Sequence, residues 1–179
     1  MWIQTYTGKK FSFVDPQPES IDIFDIAHSL SNQCRFNGHC KSFYSISQHS
    51  MHVSDLCSEK LAGQGFAHDF SEAVLGDVSS PLKSVLEKLS DSRYTEFVKK
   101  IEKVFAYKFG FPYPLDREVR YFDLVALATE KRDLMSHEPE PWCKLPPADR
   151  LEIIPIGVES AKGMFLKRYR ELQAEGLIL

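Results

Sequence analysis

The stretch GFAHDFSEAVLGD, Gly65 to Asp77, sets a histidine and an aspartate side by side inside an otherwise apolar run. His68 and Asp69 lie among Phe66, Ala67 and Phe70, residues that leave water on folding. A coordinating or charged side chain carried inward with them must be hydrogen-bonded, paired or metal-bound, because burying it alone is expensive. Glu72 follows His68 by four residues and Asp69 by three, so a helix over 66–75 presents all three groups on one face. Gly76 is the expected stop of that helix, and Asp77 comes directly after it.

Two more segments repeat the anomaly. In the helix expected from about Tyr44 to Lys60, Ile46, Val53 and Leu56 form the inward stripe and His49 shares it. In VRYFDLVALATEKRDL, Asp123 follows Val119 by four residues and precedes Ala126 by three. A single inward histidine is ordinarily a hydrogen-bonded core residue, and a single inward aspartate a cap or a buried ion pair. Two imidazoles and two carboxylates from three helices instead make a four-ligand set suited to a divalent cation. His49, His68, Asp69 and Asp123 are the expected ligands. Such a mixed set suits Mn²⁺, Co²⁺, Fe²⁺ or Ni²⁺, whereas Mg²⁺ prefers a shell of oxygens. Glu72 and Asp77 then stand where a general base or acid belongs. The plainer alternative is that Glu72 braces a ligand histidine and Asp77 caps the chain at Ser79 and Ser80.

Around this centre the chain reads as helical. WIQTYTGKKFSFV has apolar runs on both sides of a Gly-containing turn, a short β-hairpin. Asp22 is the expected N-cap of a helix with Ile23, Ile26, Ala27 and Leu30 inward, ending near Asn32. Pro81 marks a further helix entrance, and helices are expected over 91–109, 116–135 and 157–173. The proline-rich HEPEPWCKLPPADR between the last two reads as a surface loop. The expected architecture is one domain over 1–179, an all-α bundle of five to seven helices with an N-terminal β-hairpin. His28 and His52 fall off the inward stripes of their helices, His137 lies in the proline-rich loop, and all three are expected to be solvated. EKRDL, from Glu130, alternates charge as an exposed helix face does, with Arg132 paired to a neighbouring acid.

Composition narrows the function classes. The chain has 179 residues, 43% hydrophobic and 26% charged, with a net charge of −3. That balance gives no bulk reason to bind nucleic acid polymers or an anionic membrane. No run of about 18 apolar residues occurs, and MWIQTYTGKK lacks the pattern of a signal peptide, so a cytoplasmic location is expected. Cys34, Cys40, Cys57 and Cys143 form no C-x-x-C pair and are expected to be reduced, with Cys34, His39 and Cys40 as the one thiol–imidazole grouping.

His49, then His68–Asp69, then Asp123 is an H…HD…D order that resembles the HD-domain metal-dependent phosphohydrolase superfamily. FYSISQHSMHVSDL and HDFSEAVLGDVSSPLK look like its branch of bacterial 5′-deoxynucleotidases and related bacteriophage dNTP hydrolases. The resemblance spans roughly Thr5 to Met135. It implies an HD-type helical bundle, one divalent cation on His49, His68, Asp69 and Asp123, and proton management by Glu72 and Asp77. It also implies phosphate capture by Arg35. Relatives carry a tryptophan beside that arginine which selects against ribose, whereas here Cys34 and Phe36 flank Arg35. Asn37 and His39 are therefore candidate substrate contacts, although a Gly-containing surface turn explains them equally. The implied activity is release of phosphate from deoxynucleoside 5′-monophosphates. The alternatives are release of triphosphate from a nucleoside triphosphate and a non-catalytic nucleotide-binding protein. Lys41, Lys83 or Lys131 near Arg35 would favour the triphosphate, and Lys83 is the candidate substrate contact among them. Family members commonly form dimers, and YTEFVKKIEKVFAYKFGFPY is a candidate interface as well as candidate core.

Overall fold

The computed structural model describes residues 1–179. Strands β1 (Trp2–Gln4) and β2 (Lys10–Ser12) pair antiparallel, with Ile3 opposite Phe11. Asp25 ties the tip of this hairpin to the bundle, accepting from Thr7 N at 2.6 Å and from Thr7 Oγ1 at 2.9 Å. Everything after it is helix or loop. Helix α1 (Ile23–Asn32) is capped by Asp22, whose carboxylate accepts from Phe24 N. Ser45 caps α2 (Ile46–Leu56) in the same way, through Gln48 N. Helix α2 is shorter than its periodicity suggested, because the chain leaves the helix at Cys57 and turns through a single 3₁₀ turn, Glu59–Leu61.

The segment expected as one helix over 66–75 is two. Helix α3 (Ala62–Ala67) begins earlier, α4 (Glu72–Leu75) is one turn, and His68–Ser71 forms the corner between them. The Gly65 carbonyl accepts from the His68 ring, and the next amides bond three residues back instead of four: Phe70 to Ala67, Glu72 to Asp69, Ala73 to Phe70. The HD dipeptide therefore rides on a tightened corner. Two glycines in α3 are there for space, not flexibility. A Cβ at Gly63 would lie 2.0 Å from the Leu177 carbonyl oxygen, and one at Gly65 would lie 2.7 Å from Cys57 Sγ. Gly63→Ala is expected to destabilise the chain by about 1–3 kcal/mol, read as a lower urea midpoint at unchanged slope.

Helix α5 (Ser80–Leu89), with Pro81 in its first turn, leads to α6 (Arg93–Phe109), α7 (Arg117–Leu134, capped by Asp116) and α8 (Val158–Ala174). The proline-rich segment between α7 and α8 is loop, as its composition indicates. The main core joins the hairpin, α1, α3, α6 and α8 through Phe11, Leu30, Phe66, Phe70, Phe105, Phe109 and Phe165. Phe66 meets Phe165 at 4.4 Å between ring centroids and Phe70 meets Phe109 at 5.0 Å. A smaller cluster of Val53, Cys57, Val119 and Ala126 clamps α2 onto α7, and this contact brings His49 opposite Asp123. No helix is long and apolar enough to cross a membrane.

Candidate metal centre

Helix α2 supplies His49, the α3–α4 corner supplies His68 and Asp69, and α7 supplies Asp123. His49 is fully buried, while 37% of the Asp123 side chain is exposed, so the group is reached from the α7 side. The two imidazoles point their Nε2 atoms at one another, 3.1 Å apart. Asp69 Oδ2 lies 3.4 Å from His49 Nε2 and 3.1 Å from His68 Nε2. Asp123 Oδ1 lies 3.2 Å and 3.8 Å from the same two atoms.

The tautomers follow from the other ring nitrogens. His49 Nδ1 meets Glu130 Oε1 at 2.6 Å and His68 Nδ1 meets the Gly65 carbonyl at 2.7 Å. Both of those oxygens accept, so each Nδ1 carries the proton and each neutral ring turns an Nε2 lone pair inward. Two nitrogen lone pairs and two carboxylates facing one another lack any donor among themselves. A cation with about 2.1 Å bonds at right angles sets neighbouring ligand atoms about 3.0 Å apart, close to the spacings here. The group His49–His68–Asp123 could hold a metal ion, its ligand atoms all lying within 4.8 Å of one another. Asp69 is not one of those three, although its Oδ2 approaches both Nε2 atoms as closely as Asp123 does; it also faces Arg35 Nη1 at 3.6 Å.

Without a cation the cage attracts protons. Burial and Arg35 work to lower the His49 imidazole, but Glu130 and the two aspartates outweigh them and hold it well above its ordinary range. His68 is raised against burial, chiefly by Asp69. Burial opposes ionisation of Asp69, yet the two imidazoles beside it keep that carboxyl well below the usual carboxylate range. A metal ion held there would compete with protons for one acidic enclosure.

Glu130 is the residue that charge patterning misplaces. EKRDL reads as an exposed face, yet Glu130 is 0% exposed: besides His49 it accepts from Arg35 Nε at 3.2 Å, with Nη2 at 3.1 Å. It follows Asp123 by seven residues, two helical turns along one face, and that spacing is the signal that could have found it. Arg132 does pair with its neighbour Asp133, at 2.6 Å.

Arg35 is itself buried and lies at the centre, held by Glu130 and Asp69. Glu72 is 7% exposed: Lys83 Nζ is 3.3 Å from its Oε1, and its Oε2 is buried without a partner. Burial, then the charges of Asp69 and Asp77, push this carboxyl well above the ordinary glutamate range. Asp77 is half-buried after Gly76, its amide donating to Gln33 Oε1. Asn37 and His39 are exposed on a loop where Phe36, Asn37 and Gly38 all take positive φ, and no contact joins either side chain to the centre. Lys41 is exposed, and Lys131 pairs with Glu138 beneath the Trp142 ring. Two expected solvated histidines are not. His52 has 17% of its side chain exposed, with Nε2 3.6 Å from Asp149, because the loop before α8 covers it. His28 stacks on Tyr6 at 3.8 Å, beside Lys162. His137 is exposed.

A cleft of about 660 Å³ opens against this group, with His68 and Asp123 in its wall. Phe105 and Phe109 are among its apolar lining, and the cations Lys83, Arg117 and Arg120 share it with the acids Glu102, Asp116 and Asp123.

No protein-family model matches the chain. Over 174 residues, 96% of its length, it is 37% identical to the uncharacterized protein YfdR of Escherichia coli (strain K12), covering 95% of that protein. Over 146 residues, 74% of its length, it is 30% identical to an uncharacterized protein of Rhodobacter capsulatus, covering 72% of it.

Proposed function

Within the family of the Escherichia coli protein YfdR, to which the chain belongs, we propose a metal-dependent phosphohydrolase of the HD type that acts on nucleotides. The observation that carries this reading is the meeting of two Nε2 lone pairs with the carboxylates of Asp69 and Asp123 at the wall of a cleft. His49, His68, Asp69 and Asp123 would hold the ion, and this nitrogen–oxygen set suits Mn²⁺, Co²⁺, Fe²⁺ or Ni²⁺. Such an ion, when bound, polarises a phosphoryl oxygen and lowers the pKa of water.

The protein's own groups supply the rest. Glu72, kept protonated by burial and by the charges of Asp69 and Asp77, has a partnerless Oε2 and serves as the proton donor to a leaving oxygen. Lys83 steadies Glu72 from the cleft side. Asp77 acts on Glu72 by its charge. Arg35 spends Nε and Nη2 on Glu130, so its Nη1 edge, 3.6 Å from Asp69, is what remains for a phosphate oxygen. The HD resemblance favours deoxynucleoside 5′-monophosphates as substrates, with nucleoside triphosphates as the alternative. Of the three lysines that would favour the alternative if near Arg35, Lys83 meets Glu72 at 3.3 Å, Lys131 pairs with Glu138 and Lys41 is exposed.

The deciding experiment is product analysis of ribo- and deoxynucleoside mono- and triphosphates, with Mn²⁺ or Co²⁺ and separately with chelator. Metal-dependent release of phosphate or triphosphate supports the reading; no metal-dependent product from any of them leaves a nucleotide-binding protein. Glu72→Gln sharpens the test. Turnover is expected to fall about 10²–10⁴-fold while the protein becomes no less stable. A carboxyl raised on folding costs stability progressively as the pH climbs past its unfolded-state value towards its folded one, and the amide lacks that loss. In chelator, the melting temperature of Glu72→Gln should therefore equal or exceed the wild type near neutrality, and the gap should close under acid conditions. A variant that melts several degrees lower would make Glu72 a structural residue.

A further inference from the structure

From the cleft wall we infer that the substrate carries phosphates beyond the one presented to the metal, as a nucleoside di- or triphosphate does. This rests on the phosphohydrolase reading above and moves its substrate from the monophosphate to the polyphosphate.

Asp123, Arg120 and Arg117 follow one another along α7 at three-residue steps, and all three line the same cleft. Residues three apart on a helix are surface neighbours, about 5–6 Å between their Cβ atoms. At about 1.5 Å of rise per residue, the two arginines continue about 4.5 and 9 Å from Asp123 towards the N-terminus of α7. The metal ligand is thus the inner end of a row whose outer members are guanidinium groups. Lys83 on α5 also lines the cleft, but it is held by Glu72 at 3.3 Å, so the two arginines are the cations left for a ligand.

These arginines have no employment inside the chain. Neither makes a salt bridge or a side-chain hydrogen bond, and both are exposed. The acids that share the cleft are engaged elsewhere: Glu102 accepts from Tyr113 Oη at 2.7 Å and Asp116 caps α7 through Glu118 N at 2.9 Å. Their position is also unfavourable for folding. Arg117 is the first residue of α7 and Arg120 the fourth, where the helix dipole presents positive charge and favours acids. Two unpaired cations in that first turn, beside the ligand group, fit a bound polyanion. Guanidinium groups take phosphate oxygens in a bidentate fork, so a row of them suits a chain of phosphates better than a nucleoside.

The test is equilibrium binding of orthophosphate, pyrophosphate and tripolyphosphate at fixed Mn²⁺. It is run in the Glu72→Gln background, which keeps the probes intact, with and without Arg117→Gln and Arg120→Gln. Chelation of Mn²⁺ by the probe is common to both proteins, so their ratio isolates the arginines. Affinity should rise about tenfold for each arginine engaged as the phosphate chain lengthens. The double substitution should flatten that rise to within about threefold and leave orthophosphate unchanged, while Lys41→Gln, remote from the cleft, leaves the rise in place. A gain that survives the double substitution, or no gain in the parent, overturns the inference. Wild-type product analysis reports separately on the reading beneath it: turnover of monophosphates without any gain for longer chains sinks the inference alone. A gain that depends on the arginines with no metal-dependent product from any nucleotide sinks hydrolysis and leaves the polyanion cleft.

Discussion

Asp69→Asn is expected to abolish nucleotide turnover while the chain stays folded. Asp69 Oδ2 touches both Nε2 atoms, at 3.4 and 3.1 Å, and the amide preserves its size while removing its charge. A ligand loss should exceed the roughly 10–100-fold that loss of a bracing partner costs in metal affinity or activity. Folding is insulated from the change for two reasons. Asp69 sits on the corner between α3 and α4 rather than in the apolar cluster, and Arg35 retains its contacts with Glu130 when Asp69 no longer carries charge. Calorimetric titration with Mn²⁺ or Co²⁺ should show the binding isotherm lost or much weakened, and the circular dichroism melt in chelator should move by only a few degrees. Retention of turnover within tenfold of wild type would exclude Asp69 as a ligand and with it the four-residue set.

How much of this was legible depended on whether a residue's environment is local. Helices α1 and α7 follow from apolar spacing and from Asp22 and Asp116, whose capping oxygens act within two residues. His49 and Asp123 stand out because each interrupts an apolar stripe on its own helix. The corner at His68 was not legible as a break. Its residues have helical character, and what opens it is a ring-to-carbonyl bond that only the folded chain displays. The start of α3 at Ala62 was hidden by Gly63 and Gly65, poor helix formers that sit here because a side chain at either position would collide with Leu177 or Cys57. Glu130 was hidden differently. Its neighbours in sequence are charged, so local patterning gives an exposed face, whereas its partners Arg35 and His49 come from distant segments. The arginines at the start of α7 carry no sequence signal either, since exposed cations on a helix ordinarily mean solvation; the cleft beside Asp123 gives them their meaning.

Glu130→Ala should be the most destabilising single change at the centre, by about 3–5 kcal/mol. It would leave a buried guanidinium on Arg35 and the Nδ1 proton of His49 with no acceptor, in a position that is 0% exposed. For a chain of this length that corresponds to a fall of about 10 °C or more in melting temperature. The pH dependence has a definite sign. Burial works to raise the Glu130 carboxyl, but Arg35 and His49 overcome it and hold the folded-state value below the ordinary one. Its contribution is therefore complete above the unfolded-state value and is lost as the pH falls through the folded one, so the gap between wild type and variant should narrow on acidification. Removing both charges separates stability from metal binding. Arg35→Leu combined with Glu130→Leu should be milder than Glu130→Ala, because no unpaired buried ion remains. Yet it should still lose about 10–100-fold in metal affinity, since His49 would no longer be held in the tautomer that turns Nε2 inward. If the double variant bound Mn²⁺ as tightly as wild type, the orientation of His49 would have to come from its packing alone, and Glu130 would be only the counter-ion of Arg35.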